Sequence, residues 1–138
     1  NDICELTVRT ANRRDAFTPG EVIVAPGDRH LICNRDRLLL DDSPKVGSHK
    51  PSIDKLFSTA ADCYQSHLIG VLLTGMGDDG AEGCLQIHTK GGITIVQDEA
   101  SSNIYGMPKA AVERNAATSV LPLSRISTVL MEVVRTHE

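Results

Sequence analysis

The sequence lacks any strong concentration of positive charge. Its 138 residues carry a formal net charge of −4, and the lysines and arginines never cluster beyond the pair Arg13 and Arg14. Proteins that bind nucleic acid through its phosphates present a basic patch or stripe. The composition therefore predicts that nucleic acid is not a partner of this protein.

Long hydrophobic runs and the features of a signal peptide are also missing. The longest apolar run, residues 68–73, is only a few residues long, whereas a membrane-spanning helix needs about 20 apolar residues. The first residues, NDICELTVRT, lack the basic and apolar regions of a secretory signal. These absences predict no membrane insertion and a cytoplasmic location.

Closely spaced cysteine pairs are absent as well. The chain has four cysteines, which lie far apart in sequence and form no CxxC pair: Cys4, Cys33, Cys63 and Cys84. This spacing predicts neither a zinc site nor a disulfide-stabilised scaffold. We expect reduced thiols that are mostly buried.

One stretch, residues 68–83 with the sequence LIGVLLTGMGDDGAEG, organises the rest of the chain. Its apolar first half is too short for a buried helix and predicts a parallel strand that is covered on both faces. Glycines and two aspartates follow, and apolar residues then recur at helical spacing. A strand, a glycine-rich turn and a helix in this order are typical of open α/β sheets, whose active sites gather where strands end.

The composition, 41% hydrophobic and 23% charged, suits one globular domain over residues 1–138. Residues 1–50 are predicted to hold short strands and a hairpin, because apolar segments alternate with turn residues; the polar residues 11–20 are predicted as a turn. Such strands are typical of an antiparallel meander. The predicted strands are 3–10, 21–26, 30–33 and 37–40.

Helices and strands alternate over residues 51–138. The predicted helices are 52–65, 79–89, 107–115 and 123–136, and the predicted strands are 68–73, 93–97 and 118–121. Alternation of this kind implies right-handed crossovers and a parallel sheet. The predicted fold class is therefore α/β, with a doubly wound, mostly parallel sheet and an antiparallel β-hairpin insertion near the N-terminus.

Acidic pairs follow two of the predicted parallel strands. Asp78 and Asp79 come after one strand, and Asp98 and Glu99 come after the next. We expect both pairs at one edge of the sheet, the first suited to catalysis or to capping a helix and the second to a solvated loop. Adjacent carboxylates also suit Mg²⁺, but no third ligand can be identified. No metal and no other cofactor is therefore predicted.

Histidines and serines offer another candidate chemistry. His30 and His49 occupy a turn and a loop from which they could face a cleft, and Ser48 and Ser52 lie near enough in sequence to suggest a triad with Asp79. Triad members normally converge from distant parts of a chain, and no G-x-S-x-G elbow is present. We instead predict that Ser52 is the N-cap of its helix. The other histidines are predicted to be structural or solvated: His67, His88 and His137.

Four motifs carry a resemblance to a known family. They are PGEVIVAPGDRH at 19–30, HKPSIDKLF at 49–57, LLTGMGDDGAEG at 72–83, and QDEASS at 97–102 followed by YGMPKA at 105–110. In order and spacing, these motifs resemble those of the catalytic domain of the chemotaxis protein-glutamate methylesterases, the CheB family. The resemblance covers nearly the whole chain.

The resemblance implies a Rossmann-like, three-layer α/β esterase that hydrolyses glutamate methyl esters on methyl-accepting chemotaxis receptors. The family's triad is Ser, His and Asp, and the aspartate of its G-M-G-x-D-G motif corresponds to Asp79. That carboxylate would orient the histidine and stabilise its imidazolium while the serine attacks the ester. Met76 corresponds to a position beside the active site whose backbone N–H suits an oxyanion pocket, and Gly77 is its neighbour.

The family's serine and histidine motifs, G-A-S-x-G-G and a Q-H-M-P-like turn, do not occur in the 138 residues, and neither does a receiver domain. We expect the chain to begin after those two catalytic residues within the family's domain. Because triad residues act as a unit, we expect the chain to be inactive as an esterase by itself.

Two other functions stay open. A catalytically dead domain that binds receptor helices or a signalling partner would keep the same motifs, and a different enzyme would pair His30 or His49 with Asp79. The resemblance also implies that strands of the family's sheet are missing here. We expect an unpaired sheet edge through which the chain associates with itself.

Overall fold

The computed structural model describes residues 4–136, which form three sheets and four α-helices. The strands are β1 (Thr7–Thr10), β2 (Arg14–Ala16), β3 (Glu21–Val24), β4 (His30–Asn34), β5 (Arg37–Asp41), β6 (Ile69–Leu72), β7 (Ile93–Gln97) and β8 (Ser119–Leu121). The helices are α1 (Ile53–Tyr64), α2 (Ala81–Thr89), α3 (Met107–Glu113) and α4 (Leu123–Thr136). A short 3₁₀ turn, Gln65–His67, follows α1.

The second half of the chain forms the predicted parallel sheet, in the order β6-β7-β8. Val96 of β7 packs on the face that also holds Leu72, whereas Ile95 points to the opposite face, and both side chains of β7 are fully buried. The central strand β7 is therefore covered on both faces. The predicted burial of β6 on both faces was wrong for one of its faces. Gly70 and Leu72 are buried, but Ile69 and Val71 are only half-buried, and the following Leu73 is 43% exposed.

The predicted hairpin is present in the first half. β4 and β5 pair antiparallel across a turn in which Arg35 has φ 55°, and β2 joins the other side of β5 in the same antiparallel sheet. The strand β2 falls in residues 11–20, so the prediction of a polar turn there was wrong. Its buried Asp15 is paired with Arg9 at 3.0 Å, which allows a polar segment to be a strand.

The antiparallel meander was also a wrong prediction, because β1 and β3 pair in parallel. The connection between them contains β2, so the chain returns to the same end of the sheet before β3 begins. Arg9 of β1 bonds Glu21 of β3 at 3.3 Å and supports this register. β1 also begins at Thr7, later than predicted, and the predicted start at Ile3 lies outside the described residues.

Helix α1 joins the two halves, because it contributes to both clusters of buried side chains. Ile53 and Phe57 pack against the cluster around Leu72 and Val96, beneath the parallel sheet. Ala60 belongs to the other cluster, which it shares with the antiparallel sheet. The apolar spacing that predicted an amphipathic helix thus fixes the start of α1 against the parallel sheet. None of the helices in residues 4–136 is long and apolar enough to cross a membrane.

Candidate active site

Asp79 lies in the turn between β6 and α2, at the carboxyl end of the parallel sheet, and its side chain is only 5% exposed. Its carboxylate accepts three hydrogen bonds from the beginning of α1. Oδ1 accepts from the Ser52 hydroxyl at 2.9 Å and from the Asp54 amide at 3.0 Å, and Oδ2 accepts from the Ile53 amide at 2.8 Å. Amides at a helix N-terminus have no partner within the helix and attract negative charge. The carboxylate is thereby held in one orientation.

Ser52 is the N-cap of α1, as predicted, because its Oγ accepts a hydrogen bond from the Lys55 amide at 3.3 Å. The same hydroxyl donates to Asp79, so one oxygen serves as both acceptor and donor. Ser52 is therefore a structural support of Asp79. This arrangement agrees with the preference for a capping role over a nucleophilic one.

His30 is fully buried and does not face a cleft, contrary to one of the possibilities above. Its Nδ1 lies 3.1 Å from the Ser52 amide, which can only donate, so Nδ1 is the acceptor. In the neutral ring Nε2 then carries the proton and donates to the Pro44 carbonyl at 3.0 Å. The imidazole braces the loop that leads into α1. Within residues 4–136, no hydrogen bond joins an imidazole to the Asp79 carboxylate.

Asp54, in the first turn of α1, makes the reverse connection. Its Oδ1 accepts from the amides of Gly80 at 2.9 Å and Gly83 at 2.8 Å, at the beginning of α2. Burial raises the pKa of the Asp54 carboxyl, and the charge of Asp79 acts in the same direction. Asp54 was not among the site residues predicted from the sequence. The signal was an aspartate in the first turn of a helix, but its partners lie in a distant part of the chain.

Two glycines allow the beginnings of α1 and α2 to approach this closely. A Cβ on Gly83 would lie 2.5 Å from Phe57 Cβ, and a Cβ on Gly80 would lie 3.0 Å from Ile53 Cγ2. Gly80 also has φ +94°, which other residues rarely adopt. Gly80 in the turn and Gly83 in the first turn of α2 are thus needed for Asp79 to reach α1 and for Asp54 to reach α2.

Met76 and Gly77 lie on the surface of the same turn, where Met76 is 75% exposed. The preceding Gly75 carbonyl accepts from the amides of Gly106 at 3.1 Å and Met107 at 2.9 Å, which holds the turn in place. His49 is close by, since a Cβ on Gly77 would lie 4.0 Å from His49 Nε2. Met76, Gly77 and His49 therefore form one rim.

The remaining acidic residues have separate structural partners. Asp78 is exposed and lies 3.6 Å from Arg114, whereas the Asp98 carboxylate accepts from the Ser101 amide and hydroxyl at 3.0 and 2.7 Å. Glu99 is exposed, as predicted for a solvated loop. Across the described part of the chain, no three His, Cys, Asp or Glu side chains are grouped so that they could hold a metal ion.

The other predicted residues have structural or exposed positions. His67 and His88 are exposed, in agreement with the prediction, and His137 lies outside the described residues. Ser48 is exposed in the loop before α1. Of the serines and histidines considered for a triad, only Ser52 bonds Asp79.

Comparison with known proteins places this geometry in a family. The family model described as CheB methylesterase matches residues 1–130. A protein-glutamate methylesterase/protein-glutamine glutaminase of Sulfurimonas denitrificans is 45% identical over 97% of this chain and 39% of its own length. One of the same description from Anaeromyxobacter dehalogenans is 43% identical over 96% of this chain and 39% of its own length. The chain thus spans about two fifths of the length of these curated relatives.

The crystal structure of the Thermotoga maritima CheB methylesterase catalytic domain has the same fold. It matches 96% of this chain and 72% of its own chain, with a TM-score of 0.90 and 37% sequence identity. The predicted α/β class, with its parallel sheet and antiparallel hairpin, is confirmed. Motifs, relatives and fold agree, and the chain belongs to the CheB methylesterase family.

Proposed function

We propose that this chain supplies the aspartate of a Ser-His-Asp site that hydrolyses glutamate methyl esters on chemotaxis receptors. The observation that carries the proposal is the Asp79 carboxylate, which is buried in the turn between β6 and α2 and fixed by three donors from the beginning of α1. A triad aspartate must orient a histidine and stabilise its imidazolium without moving. Membership of the CheB methylesterase family supports this role for Asp79.

The reaction follows from the roles of the three groups. Serine attacks the ester carbonyl while histidine takes the serine proton, and the imidazolium that forms is stabilised by Asp79. Histidine then returns the proton to methoxide, which leaves as methanol, and water hydrolyses the acyl-enzyme. No metal or other cofactor is required in this mechanism.

Met76 and Gly77 are assigned to the oxyanion pocket. Their backbone amides make no hydrogen bond within residues 4–136, although the neighbouring Gly75 is bonded at both its amide and its carbonyl. Unpaired amides on an exposed rim are suited to stabilise the negative oxygen of a tetrahedral intermediate. The exposure of Met76 supports contact between this turn and a receptor.

A second hydrolysis reaction is favoured by the names of the relatives. Both relatives described above are called protein-glutamate methylesterase/protein-glutamine glutaminase. Amide hydrolysis uses the same serine attack and the same oxyanion stabilisation, with ammonia as the leaving group instead of methanol. We therefore include receptor glutamine side chains among the proposed substrates.

The alternative is a binding module that carries out no chemistry. The 138 residues contain neither G-A-S-x-G-G nor a Q-H-M-P-like turn, and Asp79 is bonded only by the beginning of α1 among the described residues. We expect no hydrolysis from the 138 residues alone, because one triad member contributes little without the others. A module of this kind would bind receptor helices through the rim formed by Met76, Gly77 and His49.

The experiment compares the 138-residue chain with the same chain joined to the serine- and histidine-bearing section of a relative. Methanol release from methylated receptor and ammonia release from unmethylated receptor are measured for both. The proposal predicts that only the joined protein releases product. If the joined protein folds and binds receptor but releases neither product, the binding module is the correct function.

The same proposal includes a cytoplasmic location and association with a second copy of the chain. Among residues 4–136, β6 pairs only with β7, so its other edge is free. Ile69 of β6 lines an apolar groove of ≈ 730 Å³ beside α1 and a smaller one of ≈ 300 Å³ beside α4. Free edges of this kind accept another strand. Analytical ultracentrifugation of the 138-residue chain tests the association. Ile69→Lys should weaken it. A wild-type chain that stays monomeric at all concentrations would contradict it.

A further inference from the structure

Two aspartates connect the beginnings of α1 and α2 in both directions. Asp79 precedes α2 and accepts hydrogen bonds from α1, whereas Asp54 belongs to α1 and accepts from Gly80 and Gly83. Asp54 takes part in both connections. Its backbone amide donates to Asp79, and its carboxylate accepts from Gly80, the residue next to Asp79. We propose that Asp54 is a positioning residue for the Asp79 carboxylate. This role rests on the function proposed above for Asp79.

The hydrogen-bond count at Asp79 shows what this positioning achieves. A carboxylate oxygen has about two acceptor sites. Oδ1 of Asp79 already accepts from Ser52 and Asp54, whereas among residues 4–136 Oδ2 accepts only from Ile53. Oδ2 therefore keeps one acceptor site for the histidine N–H of a triad. Any rotation of the carboxylate would misdirect that site.

The Asp54 side chain controls the backbone on which Asp79 is carried. Gly80 follows Asp79 directly and has φ +94°. Because glycine has no Cβ, its own sterics do little to hold the backbone in one conformation. The bond from the Gly80 amide to Asp54 Oδ1, at 2.9 Å, fixes this residue. A second bond, from Gly83 at 2.8 Å, ties the first turn of α2 to the same oxygen. Without the Asp54 carboxylate, the amides of Gly80 and Gly83 would lose their bonds to α1, and the residue next to Asp79 would no longer be fixed from that side.

The repulsion between the Asp54 and Asp79 carboxylates is offset by the amides at the two helix ends. Two carboxylates lie close enough that the charge of Asp79 raises the pKa of Asp54, in addition to the larger effect of burial. The amides at the beginnings of α1 and α2 offset this repulsion, and Arg114 acts in the same direction on Asp54. Burial and, to a smaller extent, the charge of Asp54 raise the pKa of the nearby Cys84 thiol. The two connections, from Asp79 to α1 and from Asp54 to α2, therefore depend on both carboxylates and on the amides of both helix ends.

The test uses variants of Asp54 in the protein joined to a relative's serine- and histidine-bearing section. Asp54→Asn keeps an acceptor oxygen for Gly80 and Gly83, whereas Asp54→Ala removes it. We expect Asp54→Ala to lower kcat by about 10- to 100-fold with KM little changed, because misplacement by about 1 Å has effects of this size. Asp54→Asn should recover most of that loss. Asp62→Ala, on the exposed side of the same helix, is the matched control and should keep wild-type kcat.

The Asp79→Asn variant separates the positioning role of Asp54 from the function proposed for Asp79. If Asp79→Asn abolishes activity while folded Asp54→Ala keeps wild-type kcat, the positioning role is overturned and the proposed function stands. If Asp79→Asn keeps activity, the proposed function fails and the positioning role fails with it. Should Asp54→Ala not fold, Asp54→Glu replaces it, because one added methylene moves the acceptor; unchanged kcat in that variant also overturns the role.

A second readout needs no activity. In the 138-residue chain, the amide proton shifts of Gly80 and Gly83 should follow the titration of Asp54, measured from its carboxyl ¹³C resonance, and the dependence should vanish in Asp54→Asn. Gly27, whose surroundings are open, should not respond. If the Gly80 and Gly83 amides do not follow Asp54 in the wild type, the proposed connection is absent.

Discussion

The hydroxyl of Ser52 donates a hydrogen bond to Oδ1 of Asp79 across 2.9 Å, although the two residues are 27 positions apart in sequence. The same oxygen of Ser52 accepts from the Lys55 amide and so caps α1. One small side chain thus connects the turn between β6 and α2 to the beginning of α1. Both residues are almost completely buried, so neither bond can be replaced easily by water.

Replacement of Ser52 by alanine should reduce the stability of the chain. The variant loses the N-cap of α1 and one of the three donors to the buried Asp79 carboxylate. We expect the free energy of unfolding in urea to fall by about 2 kcal/mol. Ser52→Thr keeps a hydroxyl and should lose less than half as much. Equal stability of the wild type and Ser52→Ala would contradict the capping role.

Gly83→Ala should destabilise the chain even though alanine favours helices. The added Cβ would lie 2.5 Å from Phe57 Cβ and 3.3 Å from Asp54 Cα, and relief of such overpacking costs about 1–3 kcal/mol. Over most of this range the cost exceeds the gain in helix propensity of about 1 kcal/mol. Gly27→Ala is the control, since nothing lies within 4 Å of its Cβ position. A Gly83→Ala variant as stable as Gly27→Ala would show that the helices can move apart.

The contribution of Asp54 to stability should depend on pH. Its pKa is raised above the ordinary value of 3.8, chiefly by burial, so folding favours the protonated form. The stabilisation is present below the unfolded-state value and is lost as the pH rises through the folded-state value. Asp54→Asn has no such loss, so its stability relative to the wild type should increase between pH 4 and neutral pH. Urea unfolding at several pH values measures this difference, and a constant or falling difference would contradict the assigned direction.

The thiols should differ strongly in reactivity. Burial raises the pKa of Cys33 to about 11 and that of Cys84 to about 12, whereas Cys4 is exposed. Because the thiolate is the reactive form, a disulfide reagent at pH 8 should modify Cys4 in the folded chain and reach Cys33 and Cys84 only after unfolding. Cys4→Ser should remove the fastest phase and leave the slower reaction of the half-buried Cys63. Rapid modification of Cys84 in the folded chain would contradict its burial.

The sequence predicts the parallel half of the fold well, because its signals are local. An apolar run followed by glycines indicates β6 and its turn, and Ser52 after a proline indicates the beginning of α1. Pairing between β1 and β3 could not be read in this way, since parallel pairing depends on the path of the connection between strands. The three-residue strand β2 also lacks an apolar pattern, because its buried Asp15 depends on a distant arginine.

The residues of the candidate site also differ in whether a local sequence signal predicts their role. Asp79 follows from its motif at a strand end, but the role of Asp54 depends on Gly80 and Gly83, which are 26 and 29 positions away. An aspartate in the first turn of a helix is ordinarily explained by the dipole of its own helix. Only the packing of α1 against α2 turns its carboxylate toward the neighbouring helix. The role of Asp54 can therefore be recognised only when the positions of both helices are known.

The most direct test of the account compares two adjacent aspartates in the protein joined to a relative's serine- and histidine-bearing section. Asp79 is buried and held by α1, whereas Asp78 is exposed beside Arg114. In a methanol-release assay on methylated receptor, Asp79→Asn should lower kcat by about 10⁴-fold, the scale known for a triad aspartate, and Asp78→Asn should change it by less than about threefold. Equal activity of the Asp79→Asn variant and the unsubstituted protein would contradict the central claim.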